Sequence, residues 1–152
     1  MRSGTENTPG IMGFAEAIRK MRDMGPEMPG RLMANKLRLV NAVREAVPNV
    51  IVNGPAPGDA APHIVNLGFP GVRGEVMLHA LEGEGVYVST GSACSSKKLK
   101  VSGVLTAMGI KPQTAEWAVR FSLSPYTTTD EIDYAAKVAG ELYATLRRYQ
   151  RR

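Results

Sequence analysis

Residues 118–146, AVRFSLSPYTTTDEIDYAAKVAGELYATL, join a strand pattern to a helix pattern and so decide the fold class. Apolar and polar side chains alternate from Ala118 to Leu123, which predicts a half-buried strand. Thr128 and Glu131 fit a capping box, and apolar residues then recur at helical spacing as far as Leu146. A strand and a helix that each carry apolar side chains on one face predict a sheet on which helices pack.

The rest of the chain repeats this mixture of helices and short strands. Helical patterns cover 8–24, 32–47, 74–82 and 101–108, and strand patterns cover 50–52, 63–67 and 86–88. Long strands do not alternate regularly with helices. We therefore expect an α/β (α+β) fold with a small, largely antiparallel sheet flanked by helices.

Composition is that of an ordinary globular chain, with 152 residues, 43% of them hydrophobic and 22% charged. No apolar run is long enough to cross a bilayer, and no secretory signal follows Met1, so we expect a cytoplasmic protein without a membrane partner. The net charge is +5, concentrated at 97–100 and 147–152. No RNA-binding or zinc-finger pattern accompanies it, so neither direct nucleic-acid binding nor a metal site is expected.

Cys94 is the one cysteine of the chain and cannot form an internal disulfide. A lone cysteine is either a small buried hydrophobe or a reactive thiol. Its neighbours at 91–96, GSACSS, are small and polar, and Lys97 and Lys98 follow directly. Nearby positive charge favours the thiolate, so both interpretations stay open on composition.

Several motifs, in order along the chain, resemble the cysteine desulfurases of the class-V aminotransferase group. Gly91 to Ser96 is similar to the cysteine loop of that family, and 66–75, NLGFPGVRGE, is similar to the segment before it. VRFSLS at 119–124 and YTTTDEID at 126–133 resemble the segments that follow, and RSGTEN at 2–7 resembles a further signature.

The resemblance implies a pyridoxal 5'-phosphate enzyme that takes sulfur from L-cysteine as a persulfide and leaves L-alanine. Cys94 matches the nucleophile, and Arg120 matches the arginine that binds the substrate carboxylate. Thr5 matches a threonine that contacts the cofactor phosphate across a dimer interface. Each residue type also has a plainer interpretation: Arg120 as a surface ion-pair residue and Thr5 as a helix cap.

The resemblance also implies a domain organisation. Residues 1–30 match an interdomain segment and helix from the end of the large domain. Residues 31–152 match the carboxy-terminal small domain of fold-type I pyridoxal phosphate enzymes, with the active-site cysteine loop at 89–103. The chain departs from the family in one respect, because the cofactor lysine of the family follows a histidine and no His-Lys pair occurs here.

We therefore expect the isolated chain to be inactive as a desulfurase. The expected partners are a cofactor-binding amino-terminal half or a homodimer mate, and a sulfur-acceptor protein. The acceptor pathway stays open among iron–sulfur cluster assembly, tRNA thiolation and sulfur-containing cofactors. The alternatives are a sulfur carrier that works without pyridoxal phosphate and an inactive truncated remnant.

Overall fold

The computed structural model describes residues 4–90 and 102–149, and Cys94 lies outside them. Three strands and six α-helices are found in this part of the chain. In chain order they are α1 Thr8–Asp23, α2 Met28–Ala46, β1 Ile51–Val52, β2 Ile64–Gly68, α3 Gly74–Gly83, α4 Gly103–Ala107, α5 Pro112–Glu116, β3 Ala118–Ser122 and α6 Thr129–Tyr149.

The three strands form one antiparallel sheet in the order β1-β2-β3. Leu67 at the centre of β2 pairs with Val52 on one side and with Val119 on the other. The prediction of a small antiparallel sheet flanked by helices is therefore confirmed.

The hydrophobic core lies between one face of this sheet and helices α2, α3 and α6. Alternate residues of β2 and β3 point into it, and they are joined by apolar residues of the helices: Val65, Leu67, Val119, Phe121, Leu39, Val43, Met77, Leu81 and Ala139. Burial of one large aliphatic side chain contributes about 1.5–3 kcal/mol, so this cluster accounts for most of the stabilisation. The opposite face of the sheet carries Ile64, Asn66 and Arg120, which alternate with the core residues.

Helix α1 differs from the other long helices because none of its residues is buried. Its apolar residues are exposed in the described part of the chain: Ile11, Met12, Phe14, Ile18 and Met21. Asn7 caps the helix by accepting a hydrogen bond from the Gly10 amide at 3.2 Å. The cap is thus Asn7, and the alternative role of Thr5 as a helix cap is wrong.

Several element boundaries differ from the sequence prediction. Helix α2 begins at Met28, not Leu32, because Pro29 is compatible with a first helical turn. The predicted strand at 86–88 is wrong, since residues 86–88 have no strand assignment and the pairing found beside them among the described residues is an isolated bridge between Ser89 and Arg120. Helix α5 was missed, since five residues are too few to show a period.

The amino terminus of α6 has the predicted capping box. The Thr128 amide donates to Glu131 Oε2 at 2.8 Å, and the Glu131 amide donates to Thr128 Oγ1 at 3.3 Å. The reciprocal bonds satisfy amide groups that have no partner within the helix. They also fix where the chain turns from β3 into α6.

Candidate active site

A row of four paired residues crosses the sheet at its centre. The Asn53 amide donates to the Asn66 carbonyl at 3.0 Å, directly beyond the last pair of β1 and β2. Asn66 pairs with Arg120 of β3, and Arg120 bridges to Ser89 through two backbone hydrogen bonds of 2.6 and 3.1 Å. Side chains of directly paired residues lie on one face of a sheet. The row therefore places Asn53, Asn66 and Arg120 together on the face opposite the core.

A cavity of about 350 Å³ opens over this face. The described residues that line it include two cationic side chains, Lys36 and Arg120, and no carboxylate. Its apolar wall is formed by residues of β1, β2, the loop after β1, and α4 with its C-cap residue: Val52, Ile64, Pro55, Val104, Leu105 and Met108. The cavity thus combines an apolar wall with two cationic side chains, which suits a small anion that has an apolar body.

Arg120 lies on the cavity face of β3 and is exposed. No carboxylate within residues 4–90 or 102–149 forms an ion pair with it. The alternative that Arg120 is a surface ion-pair residue therefore finds no support in the described part of the chain. A guanidinium of this kind presents two parallel N–H donors to a ligand carboxylate.

Asn53 was not singled out by the sequence, where it is one residue of a Gly/Pro-rich loop. Its side chain is 7% exposed, and its Nδ2 donates to Asn66 Oδ1 at 2.8 Å. Its Oδ1 is buried and has no hydrogen-bond partner among the described residues. A buried acceptor without a hydrogen-bond partner is uncommon, since buried polar atoms are nearly always hydrogen-bonded.

Lys36 of α2 lines the same cavity but is only 1% exposed. Its Nζ donates to the Ala61 carbonyl at 2.9 Å, and burial lowers the pKa of this ammonium group. A charged amine loses hydration in such a place, and one carbonyl replaces only part of it. The sequence placed Lys36 on one side of a predicted helix but did not predict its burial.

Of the three predicted site residues, Arg120 is the one that the described part of the chain places at the cavity. Arg120, Thr90 and Ser102 line the cavity, and the latter two are the described residues on either side of 91–101. Cys94 belongs to that segment and lies outside the described residues. Thr5 precedes α1, is exposed, and is not among the residues that line the cavity.

The class-V aminotransferase family profile matches residues 1–135. The chain belongs to this family. Among curated class-V relatives, a cysteine desulfurase of Sinorhizobium fredii is 39% identical over 146 residues, which are 96% of this chain and 38% of the relative. The cysteine desulfurase IscS of Clostridium botulinum is 38% identical over 138 residues, which are 90% of this chain and 35% of the relative.

Solved structures agree with the class-V assignment. A NifS-like protein superposes with a TM-score of 0.81 at 30% identity, over 95% of this chain and 36% of the other. The NifS-like protein of Rickettsia africae gives a TM-score of 0.77 at 26% identity, over 94% of this chain and 36% of the other. The resemblance to cysteine desulfurases is thus confirmed, and the chain spans little more than a third of the length of these relatives. That share fits their carboxy-terminal portion.

None of the helices in the described ranges is both long and apolar enough to cross a membrane.

Proposed function

We propose that this chain is the carboxy-terminal part of a cysteine desulfurase and completes its active site together with a cofactor-binding half. The observation that carries the proposal is the position of Arg120. Its guanidinium has no acidic partner among the described residues, and it lines one cavity with Thr90 and Ser102. Arg120 would therefore be placed to bind a substrate carboxylate beside the segment that contains Cys94.

The proposed reaction transfers one sulfur atom between two thiols. The Cys94 thiolate attacks the sulfur of L-cysteine, the carbon–sulfur bond of the substrate breaks, and a sulfur–sulfur bond forms. L-Cysteine and the Cys94 thiol thus become L-alanine and a Cys94 persulfide, with no external oxidant. The persulfide then passes to an acceptor in iron–sulfur cluster assembly, tRNA thiolation or the synthesis of a sulfur-containing cofactor.

The described residues do not form a pyridoxal phosphate site by themselves. Lys36 bonds to a backbone carbonyl and is buried, whereas Lys20, Lys111 and Lys137 are exposed and do not line the cavity. In the proposal the other half holds the cofactor, which supplies an electron sink for the substrate carbon when bound. Thr5 would contribute a hydroxyl donor to the cofactor phosphate across the interface between two chains.

The exposed apolar stripe on α1 supports the proposal that this chain binds a larger partner. Ile11, Phe14 and Ile18 are 57%, 69% and 53% exposed, and they lie on one side of the helix at spacings of three and four residues. Apolar patches of this kind are typical of interaction surfaces. We assign the stripe to the cofactor-binding half, because nearly two thirds of the length of the relatives lies outside the part that this chain matches. Residues 1–30 would then be the interdomain segment, and 31–152 the small domain with its cysteine loop at 89–103.

A chimaeric enzyme tests the proposal. This chain would replace the matching carboxy-terminal third of the Sinorhizobium fredii cysteine desulfurase. We expect the chimaera to bind pyridoxal phosphate, release alanine from L-cysteine, and gain the mass of one sulfur atom on Cys94. The matched variants Cys94→Ser and Arg120→Gln should retain the cofactor absorbance and lose alanine release.

Two outcomes would oppose the proposal. A chimaera that binds pyridoxal phosphate but releases no alanine would show that the chain has lost the chemistry, as an inactive remnant would. Persulfide that forms on the isolated chain from a separate persulfide donor, without alanine release by the chimaera, would favour the sulfur carrier.

A further inference from the structure

Asn53 and Gly54 form the one Asn-Gly pair of the sequence. Asparagine is a chemically labile residue, and a following glycine makes it more so, because no side chain hinders attack of the glycine amide nitrogen on the asparagine side chain. Gly54 has a φ of 133°, a backbone conformation that residues with a Cβ atom rarely adopt. The turn after β1 therefore requires glycine at position 54, and the labile pair is built into the fold.

We propose that Asn53 is a deamidation site that the folded chain keeps closed through Asn66. In the reaction the deprotonated amide nitrogen of Gly54 attacks Asn53 Cγ, the bond from Cγ to Nδ2 breaks, and Nδ2 takes up a proton and leaves as ammonia. Water then opens the cyclic imide at either carbonyl group, restores the amide proton, and leaves aspartate or isoaspartate. One water molecule is consumed and one ammonia is released, and no oxidant or cofactor takes part.

Two hydrogen bonds to Asn66 oppose this reaction in the folded chain. Asn53 Nδ2, the leaving group, donates to Asn66 Oδ1 at 2.8 Å, and the Asn53 amide donates to the Asn66 carbonyl at 3.0 Å. Ring closure requires the side chain to turn towards the next amide nitrogen, and the bond from Nδ2 opposes that rotation. The side chain is also buried, so water and base have little access to it.

The buried Asn53 Oδ1 adds a second barrier. This oxygen gains negative charge when the Gly54 nitrogen attacks, and it has no hydrogen-bond partner among the described residues. Charge that develops on a buried oxygen without a donor is strongly disfavoured. Deamidation therefore requires the end of β1 to separate from β2. Because β1 is a two-residue strand at the edge of the sheet, this opening costs less free energy than global unfolding.

The product cannot restore the closed arrangement. An aspartate at position 53 would place an acceptor oxygen where Nδ2 now donates, so two acceptors would face each other at Asn66 Oδ1. An isoaspartate adds one carbon to the main chain and breaks the register that continues from Val52. Either product leaves the end of β1 open beside the cavity that Val52 and Arg120 line. Deamidation would thus be an irreversible switch of this side of the site, and it depends on neither the cofactor nor the sulfur chemistry of the proposed function.

Two incubations of the purified chain test the protection. One sample is folded and the other is unfolded in guanidinium chloride, at the same mildly alkaline pH, and mass spectrometry of peptides follows the conversion of each asparagine. The five other asparagines are internal references, since each precedes a residue larger than glycine. We expect Asn53 to convert first in the unfolded chain, and about tenfold or more slowly in the folded chain, where only the open fraction reacts.

Three variants test the role of Asn66. Asn66→Leu removes the side-chain acceptor and keeps the backbone carbonyl, so it should speed conversion of Asn53 in the folded chain by up to about tenfold, the ratio that corresponds to one hydrogen bond. Asn66→Asp keeps an acceptor oxygen and should stay close to the parent rate. Thr128→Ala is the control for a general loss of stability, because it removes the cap of α6, and it should leave the rate nearly unchanged.

Equal rates in the folded and unfolded chains would overturn the protection, and absence of conversion at Asn53 in guanidinium chloride would overturn the site itself. An unchanged rate in Asn66→Leu, or an equal acceleration by Thr128→Ala, would overturn the role of Asn66. If Asn66→Leu does not fold, the comparison of folded and unfolded parent chain still decides whether the site is closed. None of these results depends on alanine release, so failure of this inference is distinguishable from failure of the desulfurase proposal.

Discussion

Gly140 of α6 lies so close to Ala46 of α2 that a Cβ atom at Gly140 would stand 2.6 Å from the Ala46 Cβ. Real Cβ atoms do not approach this closely, and neither backbone can yield without moving a whole helix. The two helices enclose the core from one side, with Val43 and Ala139 among the residues buried near the contact. Glycine at position 140 therefore sets the distance between α2 and α6.

Gly140→Ala should destabilise the chain by about 1–3 kcal/mol, because the added methyl group overpacks the contact between the helices. Gly13→Ala is the matched control, since a Cβ on that helical glycine meets nothing within 4 Å. The control should be neutral or stabilise by up to about 1 kcal/mol through helix propensity. Urea unfolding followed by circular dichroism measures both, and a stabilised Gly140→Ala variant would refute the close contact.

Lys36 should make the free energy of unfolding depend on pH. Burial lowers the pKa of its ammonium group in the folded chain, so the unfolded chain binds more protons at alkaline pH. Stability should therefore rise as the pH increases from the lowered pKa towards the ordinary value of about 10.4. Below that window the lysine is charged in both states and opposes folding.

Other groups also titrate in this pH window, so the contribution of Lys36 to the pH dependence of stability is isolated by comparing the parent chain with Lys36→Met. The variant should lack part of the rise in stability that the parent chain shows between neutral and alkaline pH. Unfolding curves at a series of pH values for both chains provide the comparison. Parallel profiles would contradict the burial of a titrating amine.

Thr128→Ala should destabilise the chain by about 1 kcal/mol, because the Glu131 amide loses its acceptor at the start of α6. Glu131→Gln should cost less, since a glutamine oxygen can still accept from the Thr128 amide. Thermal unfolding of the two variants measures the difference. If both variants matched the parent chain, the capping box would not contribute to stability.

Arg38 and Asp133 join α2 to α6 through two hydrogen bonds of 2.6 Å. The hydrogen bond from Arg38 lowers the pKa of the Asp133 carboxyl. A depressed carboxyl pKa adds stability above the ordinary value of about 3.9, and this stability is lost as the pH falls through the lowered pKa. Arg38→Leu should raise the pKa of Asp133 in an NMR titration, whereas Arg22→Leu, far from Asp133 in sequence and on α1, should leave it unchanged.

Arg120→Lys in the chimaeric enzyme should reduce kcat/KM for L-cysteine by about 10–100-fold. Lysine keeps the positive charge but cannot form two parallel hydrogen bonds with a carboxylate. If Arg120 binds the carboxylate equally in the ground and transition states, the loss appears mainly as a higher KM. An unchanged KM with normal cofactor absorbance would show that Arg120 does not bind the substrate carboxylate.

Local patterns predicted the regular elements that have strong periodicity. The capping box from Thr128 to Glu131 located the start of α6, and the alternation from Ala118 located β3. The segment at 86–88 was misread because short β-branched runs resemble strands whether or not a partner strand is available. Here the edge of β3 is met by a single bridge at Ser89.

The sequence by itself determined the fold class, the family and the residue types of the candidate site, because periodicity and motifs are local properties of the chain. It named Arg120 but could not assign its neighbours. Only the tertiary structure decided that Asn53 and Asn66 share a row with Arg120, and that Lys36 is buried beside them. Strand register and burial arise from contacts between residues far apart in the chain. No local pattern encodes which polar atoms those contacts leave without a hydrogen-bond partner.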